Sequence, residues 1–264
     1  MRGQTKRSNE TLIQQERKRV EEYLDKFIKK DKEGRVRLTE DNATKIETLI
    51  RFNPRYGKTT NEENDECAMS LIKELKTDDS LYKNRDHIRR IVGRITSENS
   101  TRMSGHDMDD LRDIIVDIHK DDLLKMLKND NGKYELIDIL ASETEQDKHA
   151  NFSFATKFCH YMCLYLFDEE KEKKYQDNYS IYDSNVIKTI SNYRKNKEKI
   201  KAFDKKKYSP SEYYIEYQRI IDKILEKRTH SRISRNAFDH IMWYYTKTRN
   251  NVESTKSNSN QEDE

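Results

Sequence analysis

Phe152-Ser153-Phe154-Ala155-Thr156-Lys157-Phe158-Cys159-His160-Tyr161-Met162-Cys163-Leu164-Tyr165-Leu166-Phe167 is unlike the rest of the chain. With 38% of the 264 residues charged, sixteen positions should hold about six charges, and this stretch holds one, Lys157. A helix apolar on nearly every side is a central, buried one. The surrounding composition agrees: 6 Gly and 2 Pro are too few turn-formers for a sandwich, a barrel or a many-stranded parallel sheet. The expected fold class is therefore all-α.

At 264 residues the chain makes one large domain or two small ones, and 33% hydrophobic content obliges it to concentrate its apolar residues. No run approaches the roughly 18 consecutive apolar residues of a membrane span. The start, Met1-Arg2-Gly3-Gln4-Thr5-Lys6-Arg7, leads into a charged segment rather than an apolar one. A cytoplasmic protein with no membrane partner is expected. Cys67, Cys159 and Cys163 are an odd number, which argues against a disulfide framework, and they cannot supply the four thiolates of a cubane iron–sulfur cluster.

The net charge of +3 averages two unlike regions. Between Ser104 and Asp147 there are 13 acids and 5 bases; between Ser184 and Arg249 there are 17 bases and 7 acids. A positive carboxy-terminal third suits a polyanion. Its densest part runs from Arg194-Lys195 to Lys205-Lys206-Lys207 with Tyr193, Phe203 and Tyr208 interleaved, a mixture that fits phosphate contact and base stacking but is equally the composition of a solvated helix and loop.

Apolar spacing predicts helices over Thr11 to Ile28, around Lys45 to Arg51, and near 66–76, 85–96, 107–118, 121–128 and 133–141. Ser209-Pro210-Ser211-Glu212 is the strongest start signal: a hydroxyl N-cap, proline at the first helical position and a glutamate that can close a capping box. That helix is expected to reach about Lys227, and a last one to open at Ser234. Residues 250–264 read as a disordered tail.

Lys157 stands at the start of the most hydrophobic element. Desolvation lowers a lysine's pKa, and a neutral amine is the nucleophile that forms a Schiff base. The competing reading is a lysine in an exposed first turn whose stem reaches water. In Tyr179-Ser180-Ile181-Tyr182-Asp183-Ser184-Asn185-Val186, Asp183 reads as a helix N-cap after an extended hydrophobic approach. Each charge is alone on an apolar background, so the two form a candidate pair.

In order and spacing these two stretches resemble the helix-hairpin-helix DNA glycosylase superfamily, most closely its 8-oxoguanine DNA glycosylase branch. There a hairpin of glycine, any residue, glycine leads through one residue to a lysine on a hydrophobic helix; Ser153-Phe154-Ala155-Thr156-Lys157 takes that place, with Ser153 and Ala155 where the family has glycines. The family then has a hydrophobic approach to an aspartate, as at Tyr179 to Asp183. The resemblance covers roughly residues 85–190. It implies a helix-hairpin-helix bundle lacking the amino-terminal β-rich domain of some relatives, with a helical region at 1–84 packed on a core at 85–249. It implies Lys157 as the nucleophile at the sugar C1′ and Asp183 as the group that stabilises the oxocarbenium ion or orients the amine. It also implies a damaged nucleotide extruded from DNA. Ser153, Ala155 and Thr156 would stand at the hairpin's phosphate contact, Arg94, Arg102, Arg194 and Lys195 would meet the DNA strand, and Phe154, Tyr182, Phe238 and Trp243 would line a base pocket.

No cofactor is expected. Cys159, His160 and Cys163 lack the fourth ligand zinc normally takes and read as core residues, Gly-rich nucleotide loops are absent, and no glycine-flanked nucleophile turn occurs. Three functions are weighed: a DNA N-glycosylase with AP-lyase activity on an oxidised purine, a non-catalytic helical DNA-binding protein that keeps the fold, and a protein-interaction domain that uses the acidic stretch from Asp107 to Asp147.

Overall fold

The sixteen-residue apolar run forms the greater part of one helix, Lys148–Leu166, and the other elements are arranged around it. The computed structural model describes residues 22, 26–52, 67–98, 103–142, 148–194, 199–201, 204, 206–228 and 233–245. In chain order the described helices are α1 (Glu40–Phe52), α2 (Ala68–Glu74), α3 (Arg85–Glu98), α4 (Gly105–Asp117), α5 (Lys120–Lys128), α6 (Glu135–Ser142), α7 (Lys148–Leu166), α8 (Ser184–Ile190), α9 (Pro210–Arg228) and α10 (235–245). Among the described residues there is no strand. One isolated antiparallel bridge pairs Lys30 with Val36. The helix expected over Thr11 to Ile28 lies almost wholly outside the described residues, as do Arg102, Lys195 and the tail at 250–264.

Helix α7 packs against α2, α3, α5 and α6, which is why it can be apolar on nearly all sides. Phe152, Phe154, Phe158, Cys159, Met162 and Cys163 have no exposed surface. Each such large side chain contributes about 1.5–3 kcal/mol by leaving water. The buried residues form one cluster that runs from Ile28 to Tyr244. The segment ahead of α1 joins it through bonds from the Tyr193 hydroxyl to the Val36 carbonyl (2.8 Å) and from Arg35 Nη1 to the Asn192 carbonyl (2.9 Å). Among the described residues no helix is long and apolar enough to cross a membrane.

Local chemistry sets the helix ends. Ser209 and Glu212 close the expected capping box: Ser209 Oγ accepts the Glu212 N–H at 3.2 Å and Glu212 Oε2 accepts the Ser209 N–H at 2.9 Å. Helix α4 starts two residues earlier than its apolar spacing suggests, because Ser104 and Asp107 form a second reciprocal box. Asn129 ends α5 in the left-handed conformation (φ 48°), and Gly132 (φ 69°) turns the chain toward α6. At Gly132 a Cβ would meet open space, so Gly132→Ala is expected to destabilise by about 1 kcal/mol through backbone strain alone. Gly93 lies inside α3, where a Cβ would meet only the end of Arg89 at 3.4 Å. Gly93→Ala should stabilise by about 0.5–1 kcal/mol. Denaturant unfolding of the two variants should therefore shift the midpoint in opposite directions.

Candidate active site

Lys157 lies on the central helix and Asp183 at the N-cap position of α8, where its carbonyl accepts the Ile187 N–H. The fold brings Lys157 Nζ to 3.5 Å from Asp183 Oδ2. Lys157 is 4% exposed, so it is not a first-turn lysine reaching water along its stem. Asp183, with 24% of its side chain exposed, is the solvent-facing end of the pair. Burial pushes the Lys157 amine below the ordinary lysine range, and the Asp183 carboxylate pulls it partly back. The pair thus holds an amine closer to its neutral, nucleophilic form beside an anion that can face a developing cation.

What holds Asp183 in place is the segment ahead of it. From Asp177 to Tyr182, six successive carbonyls each accept a side-chain bond: from Arg235 Nη1 (2.9 Å), Gln218 Nε2 (3.2 Å), His160 Nδ1 (2.7 Å), the Tyr214 hydroxyl (2.7 Å), the Tyr217 hydroxyl (2.7 Å) and Ser153 Oγ (3.0 Å). The Ile181 and Tyr182 N–H groups donate to Asp239 Oδ2 (2.8 Å) and Thr156 Oγ1 (3.1 Å). Buried backbone outside helix or sheet must find such partners, and here α7, α9 and α10 supply them. A carbonyl can only accept, so His160 carries its proton on Nδ1; burial also pushes the ring below its ordinary pKa. Burial pushes the Asp239 carboxyl well above the ordinary range, and Asp177 and Asp183 add to this against the Ile181 N–H and Arg235. Tyr217→Phe would leave the Ile181 carbonyl without its donor. A loss of about 1–2 kcal/mol in denaturant unfolding is expected; an unchanged midpoint would mean that this bond does not hold the strap.

Sequence reasoning placed Ser153 and Thr156 at a phosphate contact rather than in this role, and did not single out Tyr217, Gln218, Arg235 or Asp239. The one signal available was Tyr214, Tyr217 and Gln218 at positions i, i+3 and i+4 of α9, a stripe of polar tips along a buried face.

The hairpin expected at Ser153 to Thr156 is absent: these residues lie within continuous helix, and none has a positive φ. Serine and alanine in place of the two glycines keep ordinary helical angles. Ala155 and Thr156 are fully buried and face the core rather than solvent, and Ser153, half-buried, bonds to the Tyr182 carbonyl. Phe154 and Phe238 are likewise fully buried and Tyr182 is 7% exposed, so these rings belong to packed core; Trp243 is half-buried. Arg94 is half-buried on α3, and the half-buried Arg194 donates to the Lys199 carbonyl at 3.2 Å. A cavity of about 290 Å³ lies between α1 and the start of α10, and neither Lys157 nor Asp183 lines it.

Among the described residues no cluster of three or more His, Cys, Asp or Glu side chains could hold a metal. Burial pushes the Cys159 and Cys163 thiols well above their ordinary range. Two acids of the acidic stretch are paired with arginines, Asp109 with Arg89 and Arg112 and Asp113 with Arg85 and Arg112, while its Lys120 pairs with Asp79 outside the stretch. Comparison of the chain with protein-family models, curated proteins and solved structures finds no match.

Proposed function

We propose that the chain is a DNA N-glycosylase with AP-lyase activity, acting on an oxidised purine such as 8-oxoguanine. The observation that carries this reading is a buried, pKa-lowered lysine on the most apolar helix, 3.5 Å from an aspartate whose position is set by side chains of three helices. In the proposed reaction the neutral Lys157 amine attacks C1′ as the C1′–N9 bond breaks; that bond's electrons leave on N9, and the proton shed by the newly formed ammonium goes to the departing base. Asp183 stabilises the positive charge that develops on the sugar. Opening of the C1′–O4′ bond, whose electrons stay on O4′ as it takes up a proton from water, gives the protonated Schiff base; loss of a C2′ proton to water then forms the C2′=C3′ bond and breaks C3′–O3′, releasing the 3′ phosphate. A base inside a duplex cannot reach a buried amine, so the nucleotide must be extruded.

Borohydride trapping on labelled duplexes carrying 8-oxoguanine, an abasic site or no lesion tests this. Reduction converts the C=N bond to a stable amine. A lesion-dependent adduct is expected, and no adduct on any duplex would overturn the reading.

One observation favours a second reading, a non-catalytic helical DNA-binding protein: the residues that would form the phosphate-binding hairpin lie within a continuous helix, Phe154, Ala155 and Thr156 buried and Ser153 half-buried. That reading expects salt-sensitive DNA binding without any adduct.

A further inference from the structure

We infer that the turn ending in Lys206-Lys207-Tyr208 is a nucleobase-stacking contact for an unpaired nucleotide, with Tyr208 as the stacking ring and the two lysines as phosphate contacts. Tyr208 is 47% exposed, one of three large apolar side chains so exposed among the described residues. Its neighbours Lys206 and Lys207 are exposed, as are Lys199 and Lys201. In contrast to the acidic stretch, none of these four lysines has a carboxylate partner among the described residues. Lysines free of ion pairs beside an exposed ring are complementary to a nucleic acid strand with an accessible base.

The turn is preformed. Asp204 Oδ1 accepts the Lys206 N–H at 3.0 Å, and the Asp204 carbonyl accepts the N–H groups of Lys207 and Tyr208 at 3.0 and 3.2 Å. The fold also sets the turn beside the candidate site. The Tyr208 ring lies 6.4 Å from that of Tyr213, which lies 5.6 Å from that of Tyr182, the residue before Asp183. The Tyr213 hydroxyl donates to the Lys201 carbonyl at 2.6 Å, which ties the lysine segment to the same ring. Two ring steps are comparable to the reach of a few stacked nucleotides at about 3.4 Å each. The place of the contact in a reaction, next to an extruded nucleotide, rests on the glycosylase reading; the binding itself does not.

The test is fluorescence anisotropy of the full chain with a short labelled single strand and with the matching duplex, across a series of salt concentrations. Tyr208→Ala should weaken single-strand binding about tenfold with an unchanged salt slope and alter duplex binding less than about twofold, while Tyr208→Phe keeps the ring and the affinity. Lys206→Ala and Lys207→Ala should each flatten the salt slope on the single strand by about 0.7. Because Tyr208 is exposed, its replacement leaves the core intact. An equal loss on both substrates, no loss with Tyr208→Ala, or no wild-type binding to the single strand at low salt would overturn the inference. Adduct formation at Lys157 is read separately: trapping with a silent Tyr208→Ala removes the stacking contact alone, whereas a Tyr208-dependent affinity without trapping removes the catalytic reading alone.

Discussion

Lys157→Ala is expected to abolish the borohydride-trapped adduct on lesion-bearing and abasic duplexes, a loss on the order of 10³-fold or more, because it removes the atom that forms the covalent bond. DNA affinity should change little, since a side chain only 4% exposed has little surface to offer a phosphate. Lys157→Met adds a second readout. It replaces a desolvated amine by an apolar chain of similar length, while Asp183 keeps its hydration through the exposed quarter of its side chain. A gain of about 1 kcal/mol is expected, a rise in melting temperature of about 2–4 °C, together with complete loss of trapping. A variant that melted lower and still formed the adduct would remove Lys157 from the chemistry. The pH dependence has a definite sign. Burial lowers the amine's folded-state pKa below 10.5, so the unfolded chain binds more protons at this position between the folded value and 10.5, and this group's contribution to stability rises with pH across that window. Trapping should rise with pH in the same sense and level off below the ordinary lysine value.

Asp183→Asn is expected to separate the two chemical steps. Excision of a base builds positive charge on the sugar, and without the carboxylate it should fall by about 10²–10³-fold. An abasic site already presents an aldehyde in equilibrium with its closed sugar, so Schiff-base formation there needs a neutral amine more than it needs an anion. Trapping on the abasic duplex should therefore survive. Its acidic limb should move to lower pH, because Asp183 is the group that raises the Lys157 pKa against desolvation, and asparagine keeps the size without the charge. The measurement is a pair of pH–rate profiles, for base release and for trapping. Equal loss of both would make Asp183 a structural cap, and an acidic limb moved to higher pH would contradict the electrostatic coupling of the pair.

Much of the helical framework was legible in the chain because the signals are local. One charge in sixteen residues marks α7 as central, and burial and packing bear this out. Ser209-Pro210-Ser211-Glu212 announces α9 because every group in the capping box lies within four residues. The bridge between Lys30 and Val36 and the Ser104–Asp107 box were missed, the first because two paired residues carry no periodicity, the second because aspartate does there what glutamate was expected to do.

The sequence by itself determined an all-α fold class, its central helix, a strong N-cap and two solitary charges worth pairing, since propensity, periodicity and capping depend on neighbours along the chain. Only the tertiary structure decided that Lys157 and Asp183, 26 residues apart, meet at 3.5 Å, and that Ser153 to Thr156 form helix rather than hairpin. It alone decided that Phe154 and Phe238 are core and that Asp109 and Asp113 of α4 pair with arginines of α3. The physical reason is clearest in the strap ahead of Asp183. Its eight side-chain bonds come from residues spread between Ser153 and Asp239, and no local pattern can encode an acceptor whose donor is delivered by another helix.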